Sequence, residues 1–314
     1  YILRAYELWG EEAPLRLLGD FAFAVWDESN QTLFCARDPI GVKPFIYYWD
    51  GKRLLFGSES KQIFEDSTIS KELNSAFLGE VLIVSFSSRE ETPYRALHRL
   101  PPGYKFHVRS GVCTIRSYWH WNPDTESVSK GSLEEHAEGF RTIFDKAVRC
   151  RLRVPRGYRT GSLLSGGLDS SSIVGVATRM RQADERPFPV FTIHFDAIDP
   201  SRRIKNKDPV DESFYSSTMI RHFGLERHEL RIECQSPLGD LEENMRIQDG
   251  PLFFPNLAYF QMLFHQVSAS GVRVLLHGEG GDELFVPGSS CASREIWRGR
   301  FETFFKDAKG KKQL

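Results

Sequence analysis

The segment Ser165–Ser171, with the sequence Ser-Gly-Gly-Leu-Asp-Ser-Ser, constrains the fold of this chain more than any other feature. It follows an apolar segment, predicted as a strand at Gly161–Leu164, and precedes a helical pattern whose apolar residues share one face. Glycines let the backbone approach an anion closely, a helix start offers free N–H groups, and serine hydroxyls add donors. The segment therefore predicts a pyrophosphate-binding turn. The alternative is an ordinary capped turn between a strand and a helix.

Strand and helix patterns alternate from about residue 133 onwards. We expect helices at about 133–150, from Ser170, at 211–224, 237–248 and 256–269, and further strands at 190–195, 226–232 and 272–276. Such alternation predicts a parallel sheet covered by helices on both faces, and ligands bind such sheets at the carboxyl ends of the strands.

The first part of the chain has a different pattern, which predicts mostly β structure. Phe21, Phe23 and Val25 alternate with small residues, and strands are also expected at 33–36 and 104–108. Asp50-Gly51 separates two apolar runs, which predicts a hairpin with a type I′ turn. The 314-residue length suggests two domains. We expect them at residues 1–121 and 133–314, joined by a polar linker at 122–132.

Composition excludes several classes of protein. The 41 basic and 42 acidic side chains give a net charge of −1, so a nucleic-acid partner is not expected. No apolar stretch is long enough to span a membrane. The five cysteines are odd in number and form no C-x-x-C pair, which argues against a disulfide framework or a zinc site and indicates the reducing cytoplasm.

A second motif, His277–Phe285, follows the apolar segment at 272–276 and has the sequence His-Gly-Glu-Gly-Gly-Asp-Glu-Leu-Phe. Three carboxylates among glycines need a partner if they are buried, and Mg²⁺ would supply one. The alternative is a solvated acidic turn. Each of the two motifs follows an apolar strand, which favours a shared site at the carboxyl edge of the sheet.

The first motif resembles the pyrophosphate loop of the adenine-nucleotide α-hydrolase-like ATP pyrophosphatases, and the second resembles the Gly-Glu-Gly-x-Asp-Glu-Leu-Phe signature of the asparagine synthetase family. The resemblance implies that Asp169 and Asp282 bind Mg²⁺ on ATP. It assigns pyrophosphate to Ser165, Gly166, Gly167, Ser170 and Ser171. It assigns adenosine to Leu163, Ile193, His277 and Gly278, although the family usually has Ser or Thr where His277 stands.

Glu279 corresponds to the family's glutamate near the incoming amine, and its expected role is to accept the amine's proton. Relatives that close β-lactam rings have a tyrosine there. The family's usual Gly-Gly-Tyr after Leu-Phe is replaced here by Val286-Pro287-Gly288, which departs from a housekeeping asparagine synthetase.

Two further segments, Gly19–Ala24 and Ala36–Pro44, resemble the second half of a class II glutamine amidotransferase domain of the Ntn type. That domain hydrolyses glutamine with an N-terminal cysteine, a role that the internal Cys35 and Cys113 cannot fill. Because Tyr1 lies within a helical pattern, we expect the nucleophile upstream of it and a catalytic lysine downstream of the chain. The expected fold is therefore α/β with an N-terminal α+β part.

The expected function is that of an AMP-forming amide ligase like glutamine-hydrolysing asparagine synthase, using ATP and Mg²⁺. Its expected substrates are aspartate or another carboxylate, with glutamine or ammonia as the amine source. One alternative is a lasso-peptide-type macrolactam cyclase acting on a precursor peptide, and another is an inactive nucleotide-binding protein. A homodimer is left open.

Overall fold

The computed structural model describes residues 1–83, 88–120, 131–181, 186–194, 213–231, 241–251 and 257–282. These residues form two compact units. The first comprises the described residues of Tyr1–Val128 together with 241–251, and the second comprises those of Ser129–Pro237 and Ala258–Leu314. Most of the predicted linker, residues 122–130, lies outside the described residues. Across the described ranges, every helix is too short or too polar to cross a membrane.

The first unit contains two antiparallel sheets and several short helices. Its elements are α1 (Ile2–Trp9), a 3-10 helix (Gly10–Arg16), β1 (Ala22–Asp27), β2 (Thr32–Arg37), β3 (Ile46–Trp49), β4 (Leu54–Gly57), α2 (Ser60–Ile63), α3 (Ser75–Leu82), β5 (His98–Arg99), β6 (Tyr104–Arg109), β7 (Val112–Ser117) and, from later in the chain, α7 (Leu241–Gln248). The strand orders are β1-β2-β6-β7 and β4-β3-β5. This mixture is the predicted N-terminal α+β part.

The hairpin expected at Asp50-Gly51 is present, but the prediction of a type I′ turn was wrong. Strands β3 and β4 pair from Trp49 and Leu54, which leaves four residues in the turn. Gly51 has φ 90°, whereas Asp50 does not have the positive φ that a type I′ turn requires. Instead, the Asp50 carboxylate accepts hydrogen bonds from the backbone N–H groups of Lys52 and Arg53, at 2.8 and 2.7 Å. The side chain therefore closes the turn.

A two-residue turn of the expected kind connects β6 and β7 instead. Ser110 has φ 49° and Gly111 has φ 75°, and the flanking residues Arg109 and Val112 are paired. The sequence analysis predicted β6 but no returning strand. Strand β7 is largely exposed, so it lacks the apolar alternation by which a half-buried strand is recognised.

The second unit contains a parallel sheet with helices on both faces, as predicted. Its elements are α4 (Leu133–Arg151), β8 (Arg159–Leu163), α5 (Leu168–Arg179), β9 (Pro189–His194), α6 (Ser213–Phe223), β10 (Glu226–Arg231), α8 (Leu257–Ala269) and β11 (Val272–Leu276). The strand order is β10-β9-β8-β11, and all three pairings are parallel. Strands β8 and β11 are therefore neighbours although they are far apart in the chain.

Consecutive residues of β9 pack on opposite faces of this sheet, as the pleat of a strand dictates. Val190 joins a buried cluster that includes residues of α4 and α5, with α6 packed against it. Phe191 joins a second cluster with Leu263 and Val267 of α8. Burial on both faces explains why these strands are apolar runs rather than alternating ones.

Candidate active site

The turn between β8 and α5 is held by its own serines. Gly166 has φ 109°, a conformation that other residues rarely adopt. The Ser165 hydroxyl accepts a hydrogen bond from Gly167 N at 3.1 Å, and its oxygen lies 3.1 Å from that of Ser170. Gly167 is the N-cap of α5 and has no side chain to accept hydrogen bonds from the first turn. The first N–H groups of α5 therefore have no side-chain cap, and uncapped helix starts are common anion-binding sites.

Asp169 lies inside the first turn of α5, because the helix begins at Leu168 rather than at the predicted Ser170. The N-cap is Gly167, so Asp169 does not occupy the capping position. A negative charge in a first turn also interacts favourably with the helix dipole.

Two glycines of the second motif pack directly against Asp169. A Cβ atom added to Gly281 would lie 2.4 Å from Cγ and Oδ2 of Asp169. One added to Gly278 would lie 2.8 Å from Asp169 Cβ and from Ser170 N. A side chain at Gly278 would require the loop and the helix to separate, and one at Gly281 would displace the Asp169 carboxylate. The glycines thus allow the second motif to approach the first motif closely.

The two motifs surround one cavity of about 670 Å³, a size typical of small-molecule sites. The residues lining it are Leu163, Ser165, Gly167, Leu168, Asp169, Ser170, Phe260, His277, Gly278, Glu279, Gly281 and Asp282. This set includes most of the predicted site residues. It does not include Gly166, Ser171 or Ile193; the side chain of Ile193 packs instead in the core cluster beside Leu163 and Phe260.

Three carboxylates and one imidazole line this cavity, from Asp169, Glu279, Asp282 and His277. His277 Nδ1 lies 3.6 Å from Glu279 Oε2. In the described part of the chain, no group of three or more His, Cys, Asp or Glu side chains is arranged to hold a metal ion. The chemistry of the site still fits Mg²⁺, which proteins commonly bind through one or two carboxylates together with phosphate oxygens of the substrate.

Phe260 is a cavity residue that the sequence analysis missed. It lies on α8, a helix that was predicted from its apolar pattern, and it is half-buried against the same core cluster as Leu163. A helical pattern identifies an apolar face but not what that face meets. No local signal distinguishes Phe260 from its apolar neighbours on α8.

In the first unit, the adjacent residues Arg37 and Asp38 stabilise the loop that follows them. The Asp38 carboxylate is buried and accepts hydrogen bonds from backbone N–H groups of residues 40–43, at 2.6–3.2 Å. The Arg37 guanidinium donates to three backbone carbonyls, and burial lowers its pKa. Burial raises the pKa of the Cys35 thiol, which disfavours a thiolate there.

Two family models match the chain. A model described as a glutamine amidotransferase domain matches residues 1–119, and one described as asparagine synthase matches residues 139–309. The second match covers more than half of the chain.

Curated relatives agree with these matches. Asparagine synthetase [glutamine-hydrolyzing] 3 of Bacillus subtilis is 30% identical over 90% of this chain and 46% of its own length. Asparagine synthetase [glutamine-hydrolyzing] 1 of the same organism is 29% identical over 90% of the chain and 42% of its own length. Amidase chyE of Penicillium rubens is 29% identical over the same shares, 90% and 42%. The chain thus spans less than half the length of these three relatives.

Proposed function

The chain belongs to the asparagine synthase family, and on this premise we propose that it provides the carboxylate-activating centre of an ATP-dependent amide ligase that forms AMP and pyrophosphate. The observation that carries the proposal is the packing of Gly278 and Gly281 against Asp169. This packing brings one cavity together from the carboxylates of the two motifs and the serine-glycine turn at the start of α5. An enzyme that binds a nucleoside triphosphate with its cation needs these groups together.

The proposed nucleotide contacts divide into a phosphate part and an adenosine part. We assign the pyrophosphate to Ser165, Gly166, Gly167, Ser170 and Ser171, and the adenosine to Leu163, Ile193, His277 and Gly278. The uncapped N–H groups of the first turn of α5 support the phosphate assignment. The apolar side chain of Leu163 in the cavity wall, with Phe260 beside it, supports a nucleobase on that side.

Asp169 and Asp282 would hold Mg²⁺ between the protein and the phosphates. When bound, the cation would neutralise the charge that develops on the leaving pyrophosphate. Two carboxylates with phosphate oxygens are a donor set that Mg²⁺ commonly uses.

The proposed reaction has two steps. An oxygen of the substrate carboxylate attacks the α-phosphorus of ATP, and the α–β bridging bond breaks to release pyrophosphate. An amine nitrogen then attacks the acyl carbon, the C–O bond to AMP breaks, and the amine loses a proton. The Glu279 carboxylate, 79% exposed at the cavity, is proposed to accept that proton.

For the substrates, we propose aspartate as the carboxylate and ammonia released from glutamine as the amine. The names of the two Bacillus relatives and the amidotransferase match support this choice. The similarity to a protein named amidase chyE is the reason to test carboxylate substrates other than aspartate as well. A macrolactam cyclase would use the same activation with a peptide amine, and an inactive protein would perform neither step.

The nucleotide products test the proposal. Purified protein given ATP, Mg²⁺, aspartate and ammonia should yield AMP and pyrophosphate. ADP and phosphate as products would contradict the reaction class. Protein that binds ATP but turns nothing over with any carboxylate or amine would favour the inactive alternative.

The Glu279→Gln variant separates the two steps. Carboxylate-dependent exchange of labelled pyrophosphate into ATP should persist, whereas amide formation should fall by about 10²–10⁴, the usual contribution of a general base. If both steps fell equally, Glu279 would serve activation or folding, and its assigned role would be wrong.

A further inference from the structure

His277 is an ionisable cavity residue that we have assigned to adenosine, and its imidazole has no part so far in the proton transfer of the proposed reaction. It follows β11 directly and lines the cavity, and its Nδ1 lies 3.6 Å from Glu279 Oε2. About half of the His277 side chain, 52%, is exposed. The residue therefore contacts Glu279 and solvent at the same time.

The pair is isolated from other partners within the described ranges. No further ion pair of Glu279 or His277 is found there. The other titratable groups on the cavity wall are Asp169 of α5 and Asp282 of the same motif as Glu279, both proposed to face the cation. α8 contributes only the uncharged Phe260, and β8 and its turn contribute only Leu163 and uncharged polar groups.

The chemistry of amide formation gives this pair a use. When the amine attacks the acyl carbon, its nitrogen lone pair forms the C–N bond. The nitrogen then carries a positive charge until a proton leaves and the electrons of that N–H bond return to nitrogen. An ordinary glutamate ionises near pH 4.3 and is a weak base at neutral pH, whereas an imidazole protonates near pH 6.5. A base is most effective when it ionises near the working pH.

We propose that His277 is the group to which Glu279 passes the amine's proton, through its Nδ1, so that Glu279 returns to the ionised state. Its exposed ring then releases the proton to solvent. This inference rests on the proposed function, because it needs an amine that loses a proton at Glu279. The 3.6 Å between His277 Nδ1 and Glu279 Oε2 is long for a hydrogen bond, but catalytic contacts in ligand-free sites commonly shorten in the reacting complex.

The test compares His277→Gln with a matched control, His265→Gln, in which an exposed histidine of α8 outside the cavity is replaced. Amide formation by the purified protein is measured between about pH 4 and 9. The parent protein and the control should show the same pH profile. In His277→Gln the rate at neutral pH should be about tenfold lower, and its pH profile should differ from that of the control.

Pyrophosphate exchange in the same proteins separates this inference from the proposed function. Exchange is measured at saturating ATP, because loss of the adenosine contact assigned to His277 should raise the ATP concentration that His277→Gln needs. A maximal exchange rate close to that of the control, together with the altered pH profile of amide formation, would support the relay. An unchanged profile would overturn it, and so would an equal loss of maximal exchange and amide formation. Absence of exchange in the parent protein would instead contradict the proposed function.

A second measurement does not depend on turnover. The ¹⁵N spectrum of the His277 ring, recorded at neutral pH, should change in Glu279→Gln and not in Glu65→Gln, whose residue is exposed in the other unit. Identical His277 signals in the parent protein and Glu279→Gln would show that the two side chains do not interact, and the relay would be rejected even if the enzyme is an amide ligase.

Discussion

A single absent Cβ atom at Gly281 allows the two motifs to meet at Asp169. The hypothetical atom would lie 2.4 Å from the Asp169 carboxylate, and the equivalent atom at Gly278 would meet backbone as well as side chain. Asp169 has a short side chain with few alternative rotamers in the first turn of α5, so it can yield only by moving its carboxylate. At the scale of residues, the glycines of the second motif therefore determine where the proposed metal-binding carboxylate points.

We expect Gly281→Ala to weaken Mg²⁺-dependent binding of ATP by about 10- to 150-fold, since loss of one well-positioned charged contact is worth roughly 1.5–3 kcal/mol. Asp169→Asn should remove most of the same metal dependence. Titration calorimetry with Mg²⁺ and with EDTA measures both effects. Gly139→Ala on α4 is the control, because nothing lies within 4 Å of a Cβ atom there. Unchanged Mg²⁺ dependence in both test variants would refute the metal assignment.

At the scale of elements, an ion pair connects strands that are not neighbours in the parallel sheet. Arg159 of β8 donates two hydrogen bonds to the Glu226 carboxylate of β10, at 2.8 and 3.1 Å, across the intervening β9. These hydrogen bonds lower the pKa of Glu226, against a smaller opposing effect of burial. The pair lies at the amino ends of the strands, opposite the cavity edge, and so stabilises the sheet without entering the site.

Because the pKa of Glu226 is lowered in the folded state, its contribution to stability is complete above its ordinary range and is lost as pH falls through the lowered value. Urea denaturation should therefore show that the free energy of unfolding of the parent protein drops more between pH 6 and about pH 3 than that of Glu226→Gln. The exposed Glu65→Gln variant should behave like the parent. Equal pH dependence in parent and Glu226→Gln would contradict this role.

At the scale of the whole molecule, the compact units do not follow the chain in two simple halves. Residues 241–251 lie within the range matched by the asparagine synthase model, yet they belong to the first unit. There, the Asp249 carboxylate accepts hydrogen bonds from the backbone N–H groups of Ser60 and Lys61 at the start of α2, and Lys61 Nζ donates to Arg246 O at 3.2 Å. Side-chain capping thus holds α7 to the first unit.

Replacing Asp249 with Ala should release this contact and expose the two amides of α2. Asp249 also has φ 59°, which Asn tolerates better than Ala, and the single amide oxygen of Asn can accept one of the two hydrogen bonds, so Asp249→Asn should retain part of the contact. We expect amide hydrogen exchange at Ser60 and Lys61 to accelerate by about tenfold in Asp249→Ala and by less in Asp249→Asn. Equal protection in the parent and Asp249→Ala would show that the carboxylate does not hold this segment.

The sequence by itself determined the alternation of strands and helices in the second unit, the turn before α5 and the residues of the acidic motif. These features depend on local physics: the period of apolar residues, the backbone freedom of glycine and the chemistry of helix starts. Asp50-Gly51 marks the limit of such signals, since the hairpin was predicted correctly whereas its turn type depended on a carboxylate that bonds two backbone amides.

Only the tertiary structure decided which segments meet. The strand order makes β8 and β11 neighbours, and this brings the turn at Ser165 beside the glycines that pack on Asp169. It also decided that Phe260 faces the cavity and that α7 belongs to the first unit. The His277–Glu279 contact is local, but only the cavity that it lines suggests a chemical role for it. Strand order and helix docking result from the packing of side chains that are far apart in sequence, so no local pattern specifies them.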